Sequence, residues 1–380
     1  MKLTILKENL KNGLNVVERI TTKSLTLPIL NNVLLEASGN FLNLSTTNLE
    51  TGINYWSLAK VEKKGKLTVP VKIFSSFISS LPEESLILEE KNKILYIKGK
   101  QFKAQIKGLT PEEFPIIPKI NSDNFIEIEN FPFCDGLSQI VDFAAISQVR
   151  PELAGIYFSF QKDKVIVAAT DSFRLAEKTI FYKETPNIIK DTSEEYVFIL
   201  PQKTTRELLS IFGENKGKIK IYFSPNQVLF ESSTPETSHP QIQLISRLIE
   251  GEYPAYQEII PKKYETRLIL KKNEFLNQLR AASLFSGKTN EVKLITDRKK
   301  QGLGVFAQNP EFGEQKSYLY GKVEGKEVET SFNYRFLIDG VSNIKTKDLI
   351  FELNGEEGPA MLKPVGDASY IYVVMPIKPS

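Results

Sequence analysis

The chain of 380 residues repeats one local pattern three times. A short alternating strand that runs straight into an amphipathic helix opens at "LTILKENL" (3–10), at "FIEIENF" (125–131) and at "RLILKKNEF" (267–275). Two proline-rich segments without helical or strand period punctuate the copies: "GLTPEEFPIIP" (108–118) and "EGEYPAYQEIIP" (250–261), each ending in Ile-Ile-Pro. Self-similarity at this scale means related units built to one plan. It divides the chain into three domains, 1–121, 122–261 and 262–380, in keeping with a length too great for one compact core.

Each third carries the same order of elements. In the first, Leu6, Leu10, Leu14 and Val17 form an apolar helical stripe, and strands follow through "NNVLLEAS", "NFLNLSTT" and "GINYWSLAKV". A second strand-helix unit, "KLTVPVKIFSSFISSL", turns Val71, Phe74, Phe77 and Leu81 to the core, and a hairpin closes around Gly99-Lys100. The second third repeats this with a helix over 132–147 and another within "PQKTTRELLSIFG"; the last has helices over 273–285 and 333–343. About six helices among many short antiparallel strands make the fold class α+β.

Sequence patterns for catalysis are sparse. "SGKTNE" (286–291) has the tail of a phosphate-binding loop, but position 282, where the motif needs glycine, is Ala282, and the segment ends a helix instead of starting one. "QGLGVFA" (301–307) is a turn. A single histidine, His239, stands beside Pro240, and a single cysteine, Cys134, rules out an internal disulfide. The Glu-Glu pairs at 83–84, 112–113, 194–195 and 356–357 fall in turns, whereas a two-metal site needs convergent carboxylates. No catalytic residue, metal ligand or cofactor is therefore expected. An opening "MKLTILKENLKNG" without an apolar signal region, and the lack of any run of 18 apolar residues, point to a cytoplasmic chain with no membrane partner.

Charge is distributed unevenly. Residues 1–121 hold 17 basic against 11 acidic side chains, 122–261 hold 13 against 20, and 262–380 hold 19 against 15. Such a mixed body supports localised basic faces only. Lys7, Lys11 and Arg19 follow helical spacing opposite the leucine stripe; Lys72 opens the second helix, Lys203 and Arg206 the fourth, and Lys272 and Arg280 mark the fifth. Two accounts fit these residues: a solvated face, or helices presenting cations to phosphates without base-reading side chains. "VAATDSFRLAE" (167–177) is similarly open between a hairpin turn, in which Asp171 and Ser172 bond their own backbone, and a functional rim.

"LPILNNVLLEA", "TVPVKIF", "ATDSFRLAE", "GEYPAYQEIIP" and "YIYVVMPIKPS", in that order along the chain, resemble the bacterial DNA polymerase III β sliding clamps. The resemblance implies three repeated clamp domains in a head-to-tail homodimeric ring, with antiparallel sheets outside and helices lining a hole around double-stranded DNA. It implies a processivity subunit with no catalytic site of its own, holding the replicative polymerase, the clamp loader and repair proteins through short peptide motifs. The peptide cleft it implies comprises Arg150, Leu153, Thr170, Ser172, Phe173, Arg174, Leu175, Pro254, Ile259, Asn333, Phe336, Val373, Val374, Met375, Pro376 and Ile377. Lys7, Lys11, Arg19, Lys72, Lys203, Arg206, Lys272 and Arg280 are then the DNA-facing cations, and Ile106, Leu284 and Phe285 the dimer contact. Where the family often has Gly-His or Gly-Tyr this chain has Ser172-Phe173, and Glu258 stands at a place often basic.

Overall fold

The computed structural model describes residues 1–21, 24–82, 84–120, 125–147, 149–182, 195–233 and 239–378. The junction between the first two thirds at 121/122, and Glu83 and Glu194 of the acidic pairs, lie outside the described residues. Six α-helices are present among them: α1 (Lys7–Val17), α2 (Val71–Ser80), α3 (Asn130–Ser138), α4 (Gln202–Phe212), α5 (Lys272–Ser283) and α6 (Tyr334–Asn343). The strands pair antiparallel throughout, so the α+β class stands.

Packing gathers the chain into two compact units that follow the sheets. The first holds Met1–Phe131 and Arg206–Leu248; the second holds 249 onward with most of 132–205. In the first unit the 13-residue strand Thr51–Lys63 is shared. Its end near Lys60 pairs with Lys2–Leu6, while Gly52 and Asn54 pair with Ile245 and Gln243 on strand Pro240–Arg247. That single strand carries a twelve-stranded sheet from the first third into the second. In the second unit, strand Arg174–Phe181 does the same by pairing with Tyr370–Val374 within a nine-stranded sheet. Strands from neighbouring thirds thus cover edges that each third alone would leave unpaired.

The helical stripes differ in detail from their sequence patterns. In α1, Leu10, Gly13, Leu14 and Val17 are buried, but Leu6 is the N-cap and stays 55% exposed. Gly13 is required by close approach, since a Cβ there would lie 2.6 Å from Leu44 and 2.8 Å from Tyr55. In α2, Ile78 and Ser75 join Val71 and Phe74 in the core; Phe77 is only half-buried, edge-on to Phe102. The helix expected to reach 147 stops at Ser138, and a 3-10 turn over Val141–Phe143 continues the chain.

Candidate functional site

The site in the second unit is built on the turn between strands Lys164–Thr170 and Arg174–Phe181. The Thr170 hydroxyl accepts from Ser172 N at 3.1 Å and donates to Arg174 O at 2.7 Å. Asp171 Oδ1 accepts from the backbone N–H of both Phe173 and Arg174 at 3.0 Å. These bonds hold Ser172 at φ 77°, the left-handed region that costs a non-glycine residue strain. The stretch is a side-chain-bonded hairpin turn, and it aims Phe173 outward, 63% exposed.

Arg174 turns the other way and is locked. Its Nε donates to Asp171 Oδ2 at 2.9 Å and its Nη1 donates to Asp339 Oδ2 on α6. The guanidinium also lies 4.7 Å from the ring centre of Phe336 and 5.2 Å from that of Phe143. Phe173 stacks on Phe336 with centroids 6.4 Å apart. Strand pairing sets Arg174 opposite Val374 and Leu175 opposite Val373; beyond it, Met375 N donates to Phe173 O at 2.9 Å and Ile377 N to Ser331 O at 2.7 Å. The C-terminal run is thereby pinned between the turn and the strand Glu329–Asn333.

The expected cleft residues separate into a surface and its foundation. Phe173, Ile259 and Ser172 are exposed, and Phe336, Met375, Ile377, Pro254 and Asn333 are partly so. Leu153, Thr170, Leu175, Val373, Val374 and Pro376 are buried and lie beneath that surface. Leu175 and Val373 instead form a core cluster with Ala168, Met361 and Tyr256. Asn333 caps α6 by accepting from Arg335 N, and Arg150, at the start of the turn Pro151–Ala154, pairs with Glu152 at 2.9 Å. Asp339, Phe143 and Tyr372 had no signal in the sequence: their part comes from packing around Arg174. Burial pushes the hydroxyls of Tyr256 and Tyr372 well above the usual phenol range, so both are neutral donors, to Glu177 and to the Phe336 carbonyl.

The helix cations divide likewise. Lys72, Lys203, Arg206 and Arg280 are exposed and Lys11 is half-exposed, while Arg19 sits in a 3-10 turn and donates to Ser210 of α4. Lys7 and Lys272 are differently engaged. Lys7 Nζ donates to the carbonyl of Leu81, the C-cap of α2, and Lys272 Nζ donates to Ser342 O at 3.1 Å and to Ile344 O at the end of α6. At the corresponding place in the middle repeat, Asn130 Nδ2 donates to Phe212 O and Asn215 O after α4. Each repeat thus uses the first residue of one helix to satisfy orphan carbonyls at the end of its partner helix. Partial burial holds the Lys272 ammonium below the usual lysine range. Lys7 and Lys272, both partly buried, thus have a capping role within the fold.

Of the expected dimer-contact residues, Leu284 is 73% exposed just after α5 and Phe285 is half-buried. On edge strand Lys103–Lys107, Ile106 faces inward, 9% exposed, and Lys103, Gln105 and Lys107 face out. Among the described residues, no group of three or more His, Cys, Asp or Glu side chains is placed to hold a metal ion. Nor is any helix among them long and apolar enough to cross a membrane.

Comparison with known proteins bears on all three repeats. Family models of the DNA polymerase III beta subunit match in chain order: the N-terminal domain over residues 1–118, the central domain over 134–255 and the C-terminal domain over 257–378. A beta sliding clamp of Synechococcus elongatus is 27% identical over 385 aligned residues, covering 100% of this chain and 99% of its own length. That of Staphylococcus aureus is 28% identical with the same coverage. The solved DNA polymerase sliding clamp of Bacillus subtilis superposes with a TM-score of 0.92 at 23% identity over 100% of both chains, and the DNA polymerase III beta subunit of Pseudomonas aeruginosa with 0.92 at 22%. With three domain models in register along three internal repeats, the chain belongs to the DNA polymerase III beta subunit family.

Proposed function

We propose that the chain is a DNA sliding clamp, a homodimeric ring of clamp domains 1–121, 122–261 and 262–380 that encircles duplex DNA and tethers the replicative polymerase. The observation that carries this is the ordered match of all three domain models on a chain whose repeats share one architecture. It is a non-catalytic processivity subunit that works in the cytoplasm. Two open sheet edges, Lys103–Lys107 and Gly313–Tyr320, supply backbone groups for head-to-tail pairing, with exposed Leu284 beside the contact.

The cleft of Phe173, Phe336, Met375 and Ile259 takes short peptides of the polymerase, the clamp loader and repair proteins. Its support is chemical: a partly exposed apolar surface with a flexible Met, on a foundation fixed by Arg174 and two carboxylates. DNA is held by topology and by screened contacts from Lys11, Arg19, Lys72, Lys203, Arg206 and Arg280, so binding is independent of base sequence. The test is retention on DNA. Protein loaded on a nicked circle should stay bound at moderate salt and leave once the circle is cut. Equal retention on linear and circular DNA, or a strictly monomeric mass near 43.1 kDa at micromolar concentration, overturns the reading.

A further inference from the structure

Both linkers are anchored by a buried ring, but only the second ring carries a hydroxyl. In the first unit Phe114 of segment 108–118 is 7% exposed and clusters with Ile29, Leu30 and Leu34. Strand pairing runs from Leu34 across Ser45 to Asn54, and Asn54 Oδ1 accepts from the Ser45 hydroxyl at 2.7 Å. In the second unit the matching row runs from Tyr157 across Ala168 to Glu177. The turns before Asn54 and Glu177 fix the match, since Leu49 takes φ 78° where Ser172 takes 77°. Tyr256 of segment 250–261 lies against this second row, 1% exposed, with its ring centre 5.6 Å from that of Tyr157. Its hydroxyl donates to Glu177 Oε2 at 2.7 Å.

Phenol and carboxylate thus occur together in the unit that carries the cleft, where the first unit has Phe114 and Asn54. Apolar packing alone anchors a linker, as Phe114 does, so the polar pair has a further role. Taking a hydroxyl and a carboxylate from water costs free energy that a directional bond recovers, and what that bond adds to packing is a fixed position. The position fixed is that of the cleft's linker side. The Tyr256 ring packs on Leu175 and Val373, the chain neighbours of Arg174 and Val374. Its backbone opens the 3-10 turn Tyr256–Glu258, and Ile259 N donates to Tyr256 O at 3.0 Å. The place of Ile259, 52% exposed, therefore follows from that of Tyr256.

Resting on the peptide-cleft reading, we propose that Tyr256 and Glu177 are positioning residues of the cleft. Their bond holds the linker on strand Arg174–Phe181 and so sets Ile259 as one wall. Tyr256, being buried, acts through Ile259 and not by touching the peptide.

The test is titration calorimetry of a Gln-x-x-Leu-Phe-type peptide on the full protein, well below melting, with a melting curve for every variant. Tyr256→Phe keeps the ring and removes the hydroxyl. Apparent affinity scales with the fraction of protein whose wall is in place, so losing a bond to a charged acceptor should weaken binding about fivefold. Glu177→Leu, which removes the acceptor, should match it, whereas Glu177→Gln, which keeps a carbonyl oxygen, should stay within about twofold of the native protein. In an Ile259→Ala protein, itself weakened, Tyr256→Phe should cost less than about twofold more, because the wall it positions has been cut away. Variants that melt lower yet bind the peptide as the native protein does would show a bond that serves stability alone and overturn the proposal. An undiminished loss on top of Ile259→Ala overturns it as well, as does Glu177→Gln binding as poorly as Glu177→Leu. A native protein that fails to bind the peptide overturns the cleft reading and this inference with it.

Discussion

Lys272 is the position where sequence and structure assign different work, and Lys272→Met separates them. Methionine keeps the aliphatic stem and removes the ammonium that donates to Ser342 O and Ile344 O. A hydrogen bond from a charged donor is worth about 1.5–3 kcal/mol net, and a cation at a helix C-terminus adds about 0.3–1 kcal/mol. Water reaches this half-exposed end and replaces part of both, so the loss should be about 1.5–3 kcal/mol. At about 2–4 °C per kcal/mol for a unit of this size, melting should fall by about 3–12 °C. The companion variant is Lys203→Met, an exposed lysine on the first turn of α4. It should leave melting within about 0.5 kcal/mol of the parent, and it should reduce the salt dependence of duplex binding by about 0.9 in log-log slope for each phosphate that is no longer neutralised. Calorimetric melting and a salt titration of DNA binding on the same preparations measure both quantities. A Lys272→Met protein that melts like its parent but loses salt dependence would refute the capping argument.

Arg174→Ala should leave Asp171 and Asp339 facing each other without their cation and loosen the wall under Phe336. Affinity for a Gln-x-x-Leu-Phe-type peptide should drop about 30-fold, as for a 2 kcal/mol hot spot, in a protein whose melting curve still shows a fold; unchanged titration calorimetry sinks the cleft assignment. Leu284→Lys should give a folded monomer by sedimentation, because Leu284 is 73% exposed, whereas Ile106→Lys should lower stability first, because its side chain is 9% exposed. A Leu284→Lys dimer at nanomolar concentration counts against the interface. Glu89 is held at about 2, against an ordinary 4.5, by hydrogen bonds from Lys91 and Lys98. A carboxyl depressed on folding stabilises above its unfolded value and loses that contribution as pH falls through the folded one, here between 4.5 and about 2. Glu89→Gln should therefore flatten the acid side of the denaturation profile in that window, and an unaltered profile would show that the lysine contacts carry no such linkage.

The strand-into-helix openings and the Ile-Ile-Pro linkers were legible because they are local. Side-chain period and proline placement are properties of a few consecutive residues, and they fixed the repeat, the α+β class and the family resemblance. The Thr-Asp turn was legible for the same reason, since its bonds to Ser172, Phe173 and Arg174 span at most four residues. What remained hidden depends on pairings far apart in the chain. Whether Val373 lines a surface or lies beneath it is decided by strand Tyr370–Val374 closing on Arg174–Phe181. Whether Lys272 meets a phosphate or a helix end is decided by residues 70 and 72 positions away. Asp339 joins Arg174 across 165 positions, and no spacing announces it. The sequence by itself determined which segments become strands and helices and that they recur three times. Only the tertiary structure decided which edges pair, and so which charges are already satisfied and which side chains lie beneath the surface, because burial and hydrogen-bond satisfaction are set by the neighbours that pairing brings.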